Sequence, residues 1–358
     1  MKITALIMAG GRGERFWPKS RKNLPKQFLS LTDSGKTMIR ATVDRILPLV
    51  KTGDIFIATN REYRDFVREQ LPEIPEENIL CEPAARSTAP CIGWGAAVIR
   101  ARYGDAMMLV LPADHLIRQP ELFRRALKSA VRTAEETEGL VTLGIAPSTP
   151  DTGYGYIRYQ GEEENGSGSA FRVKEFVEKP DAETACMYLM SGDYLWNSGM
   201  FIWKASVILK EMQEKLPELY ALLGGIARAA GTEEAERITE AAFEQMKPVS
   251  VDRGIMEKTE NAYVIPSSFG WDDVGSWLAV ERINPGDQEG NVILGDTVTV
   301  NSRRCIIQGG EKIIALVGME DTIVVDTGDA LLVCAKNSTD GIRKVLEKLK
   351  NDGRADLL

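Results

Sequence analysis

A chain of 358 residues with 44% hydrophobic content has enough apolar material for one large core and a smaller one. Its formal net charge of −8 argues against the basic face that nucleic-acid binding needs, and no apolar run approaches the roughly 20 residues that span a bilayer. Five scattered cysteines without a C-x-x-C pair, and a single histidine (His115), argue against a disulfide framework, a zinc site and serine-histidine or multi-histidine catalysis.

The first element, "ITALIMA", reads as a buried strand. It resembles the start of a signal peptide only briefly, because glycines and arginines follow at once without a small-residue cleavage site, so a cytoplasmic protein is expected. "TMIRATVDRILPLV" has helical spacing, "DIFIATN" is strand-like and "REYRDFVREQL" helical. "TAPCIGWGAAVIRARYG" is a helix with small residues on one side, and "AMMLVLPAD" a strand covered on both faces. "ELFRRALKSAVRTAEE" is a helix and "LVTLGIA" another buried strand. This alternation predicts an α/β fold, a Rossmann-like, mainly parallel sheet flanked by helices.

From Gly153 the texture changes. "YGYIRYQ" and "AFRVKEFVEKP" read as a strand pair around a polar, glycine-rich loop at 161–169. "DAETACMYLMSG" and "ASVILKEMQEKLPELYALL" read as helical with the strand "SGMFIWKA" between them, followed by a helix over "TEEAERITEAAFEQM" and a strand, loop and helix start over "AYVIPSSFGWDDVGSW". After Pro285 short strands alternate with turn residues until the helix "GIRKVLEKLKN". The expected domains are therefore 1–285 and 286–358, the second a small β unit with a terminal helix.

The chemistry concentrates in "AGGRGERFWPKSRKNLPKQF", directly after the first strand. Backbone N–H groups at such a turn are free to meet an anion, and Gly10, Gly11 and Gly13 allow close approach. The pattern is neither G-x-x-x-x-G-K-[ST] nor G-x-G-x-x-G, since Phe16 stands where the third glycine of the latter would be. Arg12, Arg15, Lys19, Arg21, Lys22 and Lys26 are more charge than one phosphate needs and suit a triphosphate with its pyrophosphate leaving group.

This loop resembles the signature of the sugar-1-phosphate nucleotidyltransferases, and its Phe16-Trp17 and P-K-Q-F elements resemble the mannose-1-phosphate guanylyltransferase branch. The resemblance implies the nucleotide-diphospho-sugar transferase fold, a left-handed β-helix-like C-terminal unit, and the substrates GTP and mannose 1-phosphate. It implies that Ala9, Gly10, Gly11, Arg12 and Gly13 line the nucleotide and that Arg15 and Lys26 hold its phosphates. "CEPAARSTAP" resembles the segment near the base, with Glu82, Arg86 and Ser87; Glu82 or nearby carbonyls are candidate acceptors for guanine, and Ser87 a candidate helix N-cap.

Asp114, just past a strand end in "LVLPADHLI", suits Mg2+, and the matching family aspartate binds metal and nucleotide; His115 beside it reads as structural. By the same resemblance Glu178 and Lys179 of "FVEKP" meet the sugar and its phosphate. Asn197 and Gly199 of "WNSGMF" contact the sugar, and Gly155 in "GYGYI" belongs to the pocket wall. "SVDRGIMEK" is expected to organise the site through ion pairs among Asp252, Glu257 and Lys258. In "FGWDDVGSW" the resemblance assigns Asp273 to the metal and leaves Asp272 aside.

The matching segments lie in order across roughly the first 280 residues. The implied reaction is in-line attack by a sugar phosphate on the α-phosphorus of the nucleotide, assisted by Mg2+, without a covalent intermediate. Alternatives left open are another nucleotide, another sugar 1-phosphate, or an inactive regulatory relative. Some relatives carry a fused phosphomannose isomerase domain, whose activity is not expected here; a homodimer is compatible with the resemblance, and no membrane or nucleic-acid partner is expected.

Overall fold

The apolar runs form a mixed sheet covered by helices. The computed structural model describes residues 1–11, 13–32, 35–159, 170–229 and 232–358; Arg12 and the 161–169 loop singled out above lie outside the described residues. Strands β1 (Ile3–Met8), β2 (Ile55–Asn60), β3 (Ile79–Glu82) and β4 (Met107–Pro112) run parallel in the order β3-β2-β1-β4. The strands β5 (Leu140–Ile145), β6 (Gly155–Tyr159), β7 (Phe171–Glu178), β8 (Tyr194–Lys204) and β9 (Ala262–Ser267) extend the sheet. Among the described residues its order is β3-β2-β1-β4-β8-β5-β9-β7-β6. β8 is antiparallel to both β4 and β5, and β9 is parallel to β5. β1 has β2 on one side and β4 on the other, so the loops after β1 and β4 leave the sheet where successive strands turn opposite ways. Open α/β sheets bind ligands at such a point.

By its contacts the chain divides into two units, Met1–Gly10, Val43–Ala113 and Ile117–Trp271, and Gly11–Thr42, Asp114–Leu116 and Asp272–Leu358. In the first, the helix Thr88–Tyr103 packs its small residues close. A methyl at Gly95 would sit 2.6 Å from Leu6 of β1, and one at Gly93 2.5 Å from Leu223. Two of the elements read from the sequence differ in extent, and the short strand Ile79–Glu82 has no counterpart in that reading. The helical stretch after Ala205 breaks into Ala205–Lys215 and Pro217–Ala229, because Pro217 lacks an N–H and forces Leu216 out of helical geometry. The strand read from Ser198 begins four residues earlier, at Tyr194, and passes a bulge opposite Thr142 and Gly144 that keeps Trp196 and Asn197 in the ladder.

The second unit stacks short strands in parallel rungs. Val292–Leu294, Ile306–Gln308 and Thr322–Asp326 form one ladder, closed by antiparallel Leu331–Ala335. Thr297–Val300 and Ile314–Val317 form another. At one corner Gly295 has φ of 130°, and a methyl there would lie 2.9 Å from the Cα of Gly309, so this corner stacks backbone on backbone.

The core of this unit joins its coil to the segment after the glycine loop. Phe16, Trp17, Leu29 and Met38 cluster with Trp277, Val280, Ile306, Ile323 and Val325. Phe16 and Trp277 have ring centroids 5.3 Å apart, Trp277 Nε1 donates to the Trp17 carbonyl (3.0 Å), and Trp17 Nε1 donates to the Leu357 carbonyl (2.8 Å). Trp17→Ala is expected to cost about 3–5 kcal/mol of unfolding free energy, measured by chemical denaturation, from the lost volume and hydrogen bond. A loss below about 1 kcal/mol would contradict this anchoring role.

Candidate functional site

In the second unit, Lys26 opens a short 3-10 turn, Lys26–Phe28, beneath the glycine loop. Gly13 has φ of 64°, and a Cβ there would fall 2.4 Å from Lys26 Cβ, so glycine is what lets the two segments touch. Lys26 is only 4% exposed. Its buried ammonium needs partners, and it finds Asp114 Oδ2 at 2.8 Å and the Asp273 main-chain carbonyl at 2.6 Å. Burial disfavours the Asp114 charge, but Lys26 and then His115 outweigh it and hold the carboxyl below the ordinary aspartate range. His115 Nε2 stands 3.9 Å from Asp114 Oδ1.

The two adjacent aspartates do different work. Asp272 accepts the fork of Arg282 (2.8 and 3.1 Å) and the N–H of Val274 (2.8 Å). Val274 is held at φ of 48°, unusual for a β-branched residue. Gly275 gives the Asp273 carboxylate its room, since a methyl at that position would meet Oδ2 at 2.7 Å.

The loop cations divide. Arg15 is exposed and makes no hydrogen bond or ion pair with the described residues. Lys22 is also exposed. Two of the cations expected on a triphosphate are engaged within the unit instead. Lys19 Nζ donates to the Ser30 carbonyl and to Gln308 Oε1 (both 3.2 Å). Arg21 donates to the Leu357 carbonyl (2.6 Å) and Asp329 (2.9 Å) and lies over the Trp17 ring.

In the first unit, Ala9 and Gly10 continue from β1. Thr59 Oγ1 donates to the Ala9 carbonyl (3.0 Å) and Asn60 Nδ2 to the Gly10 carbonyl (3.3 Å). Glu82 pairs with Asn60 across β3 and β2. A methyl at Gly10 would approach Glu82 Oε2 to 3.3 Å and Asn60 Oδ1 to 3.7 Å. Glu82 Oε1 and Asn60 Oδ1 are buried acceptors with no donor among the described residues. Burial pushes the Glu82 carboxyl up to about 7. Asn60 was not among the residues read from the sequence; its only signal was its place at the end of a strand beside Glu82.

Arg86 donates to the carbonyls of Phe243 and Glu244 (2.7 and 3.1 Å), at the C-terminal end of the helix Ala235–Gln245. These bonds tie the guanidinium to the end of that helix. Ser87 stands at the N-cap position with φ of 68°, but its side chain makes no capping bond. Its neighbour Thr88 instead accepts from the Val251 N–H (2.8 Å).

Also in the first unit, Glu178, Lys179, Asn197 and Gly155 meet. A methyl at Gly155 would lie 2.6 Å from Glu178 Oε2 and 3.3 Å from Asn197 Cβ. Lys179 Nζ is 3.6 Å from Glu178 Oε1 and its side chain is exposed. Burial first, then Asp252, pushes the Glu178 carboxyl above its ordinary value. Gly199, at φ of 69°, donates its N–H to Asn197 Oδ1 (3.2 Å). No ion pair joins Asp252, Glu257 and Lys258 among the described residues. Asp252 accepts from Asn197 Nδ2 (2.9 Å) and Glu257 from the Glu178 N–H (3.0 Å). Tyr154 packs between Trp196 and Trp271, with centroids at 4.9 and 5.3 Å.

Among the described residues no group of three or more histidine, cysteine or acidic side chains is arranged to hold a metal ion. Asp114 and Asp273 nonetheless suit Mg2+, which binds through one or two carboxylates and completes its shell with substrate oxygens and water. The Lys26 ammonium touches both residues, so a positive charge already belongs at this place.

A nucleotidyl transferase family model matches residues 4–290, and a MannoseP isomerase/GMP-like beta-helix domain model matches residues 295–349. A Salmonella montevideo protein named mannose-1-phosphate guanylyltransferase is 41% identical over 359 residues, spanning 98% of this chain and 75% of its own. An Escherichia coli (strain K12) protein of the same name is 39% identical, spanning 99% and 74%. A crystal structure from Thermus thermophilus, described as a mannose-1-phosphate geranyltransferase, superposes with a TM-score of 0.89 at 35% identity over 98% of this chain and all of its own. No helix of the described residues is long and apolar enough to cross a membrane.

Glu82 carries a pH signature. Its carboxyl titrates near 7 in the fold against an ordinary 4.5, so between those values the native state holds a proton that the unfolded chain has released. Stability must fall as pH rises through that window. The advantage of Glu82→Gln over the natural protein in urea unfolding is expected to grow by about 3 kcal/mol between pH 4.5 and 8. A gap that does not change with pH would contradict the burial of an ionisable Glu82.

Proposed function

The chain belongs to the nucleotidyl transferase family, among its mannose-1-phosphate guanylyltransferases, and from that premise we propose that it transfers GMP from GTP to mannose 1-phosphate and releases pyrophosphate. The observation that carries the reading is the meeting of Lys26, Asp114 and Asp273, from three distant segments, through one buried ammonium.

The nucleophile is a phosphate monoester whose second pKa lies near 6, so it is largely dianionic at neutral pH and needs no general base. A phosphate oxygen of mannose 1-phosphate forms the new bond to the α-phosphorus, and the bond to the pyrophosphate oxygen breaks in line. Catalysis then reduces to positioning and charge stabilisation. Lys26 and the exposed Arg15 offset the charge of the nucleotide phosphates. Asp114 and Asp273 hold Mg2+, which supplies charge neutralisation at the α-phosphate when bound. Lys179, exposed beside Glu178, aligns the attacking phosphate, and Glu178 accepts from sugar hydroxyls. Glu82 and Asn60 offer buried acceptors of the kind that guanine, with its N1–H and N2 amine, requires.

Pyrophosphate release with mannose 1-phosphate and Mg2+, compared across GTP, ATP, UTP and dTTP, tests the reading. Release with GTP that is lost without metal supports it; release with a different nucleotide, or none with GTP, overturns it. The split between the aspartates gives a second expectation. Asp273→Asn should lower turnover by about a hundredfold or more. Asp272→Asn, which keeps an acceptor for Val274, should weaken the Arg282 pair and leave turnover within about threefold. Equal losses in both variants would sink the assignment.

A further inference from the structure

Asn197 is 9% exposed, and its amide is committed to the fold. Its Oδ1 takes the Gly199 N–H and lies 3.2 Å from Thr142 Oγ1, while its Nδ2 donates to Asp252 Oδ1. The group that Asn197 orients is therefore Asp252, which is only half-buried. Asp252 begins the turn Asp252–Met256, a π-helical turn closed by the Glu257 N–H on the Asp252 carbonyl (2.9 Å). Such turns cost regular hydrogen bonding and recur at functional sites. Here the turn sets Asp252 against Asn197 and Glu257 against the Glu178 N–H. It is strapped from outside by Ala89 N to Val249 O, Val249 N to Arg86 O and Val251 N to Thr88 Oγ1. Glu178 is brought to the same place by Gly155, whose missing side chain leaves room for Oε2.

Asp252 is thus held by the neutral Asn197 amide, its charge disfavours that of Glu178, and the Lys179 cation stands 3.6 Å from Glu178 Oε1. Ionised carboxylate oxygens are acceptors only, and the hydroxyls of a sugar are donors that satisfy them without adding charge. We propose that Asp252, oriented by Asn197, is a sugar-binding residue that accepts a hydrogen bond from a hexose hydroxyl beside the one met by Glu178, and so helps to determine which hexose 1-phosphate is used. The inference rests on the proposed guanylyltransferase reading. It gives Asn197 a positioning role and Asp252 the direct contact.

The test is steady-state kinetics of Asp252→Asn with mannose 1-phosphate and its monodeoxy analogues. KM for mannose 1-phosphate is expected to rise roughly tenfold to a hundredfold, with KM for GTP within about twofold of the natural protein. The natural protein should discriminate against each deoxy analogue, and the variant should lose that discrimination at one hydroxyl position alone. A structural role would not remove selectivity at one position. Deoxy penalties unchanged from the natural protein, or KM rising equally for both substrates, would overturn the inference. Should Asp252→Asn fail to fold, Asp252→Glu keeps the charge and moves the carboxylate by one methylene, and the same single-position pattern is required of it. If the natural protein forms no GDP-mannose, the functional reading fails and this inference with it; if it does and the deoxy pattern is absent, only this inference fails.

Discussion

Burying an ammonium is costly unless its charge is met, and Lys26 is almost wholly buried. Much of the second unit is arranged to meet it. Gly13 gives up a side chain to let Lys26 in, Asp114 supplies the countercharge, and the Asp273 carbonyl accepts a hydrogen bond from the ammonium. Around this contact Asp272 is bound to Arg282 and to the Val274 N–H, and Gly275 clears space for the Asp273 carboxylate. The positive-φ conformation of Val274 is the local strain that this geometry requires.

The strands and helices were readable because their signals are local. The continuous apolar runs of β1, β4 and β5 and the amphipathic helices announce themselves in a few turns of chain. The elements that departed from the reading depend on partners remote in sequence or on a single breaking residue. Pro217 interrupts a stretch whose periodicity continues on either side of it. The extra length of β8 exists because neighbouring strands pair with Tyr194 to Asn197 across a bulge. The strand Ile79–Glu82 is too short to show a pattern of its own.

The motifs announced which segments carry chemistry, but not how each side chain is used. Charge in the loop from Arg12 to Lys26 reads from composition as one electrostatic device. In the fold, Lys19 and Arg21 bind Gln308, Asp329 and the Leu357 carbonyl, and so tie the loop to the terminal coil. Phe16 and Trp17 likewise form core with Trp277. Arg86 satisfies helix carbonyls. These distinctions require knowing which atoms lie within about 3 Å of a guanidinium or ammonium, and sequence spacing does not contain that. The sequence gives Asn60 and Asp252 no direct role for the same reason. Their significance lies in what Gly10 and Asn197 touch.

Turnover of Lys26→Met, measured beside its thermal stability, tests the central claim most directly. Methionine fills the same buried volume without charge, and Asp114, 36% exposed at its side chain, can be met by water instead. The account predicts a fall in kcat/KM for GTP of about a hundredfold or more in a variant that is still folded at the assay temperature. Activity close to that of the natural protein would contradict it, because the buried ammonium would then serve only to join three segments of the chain.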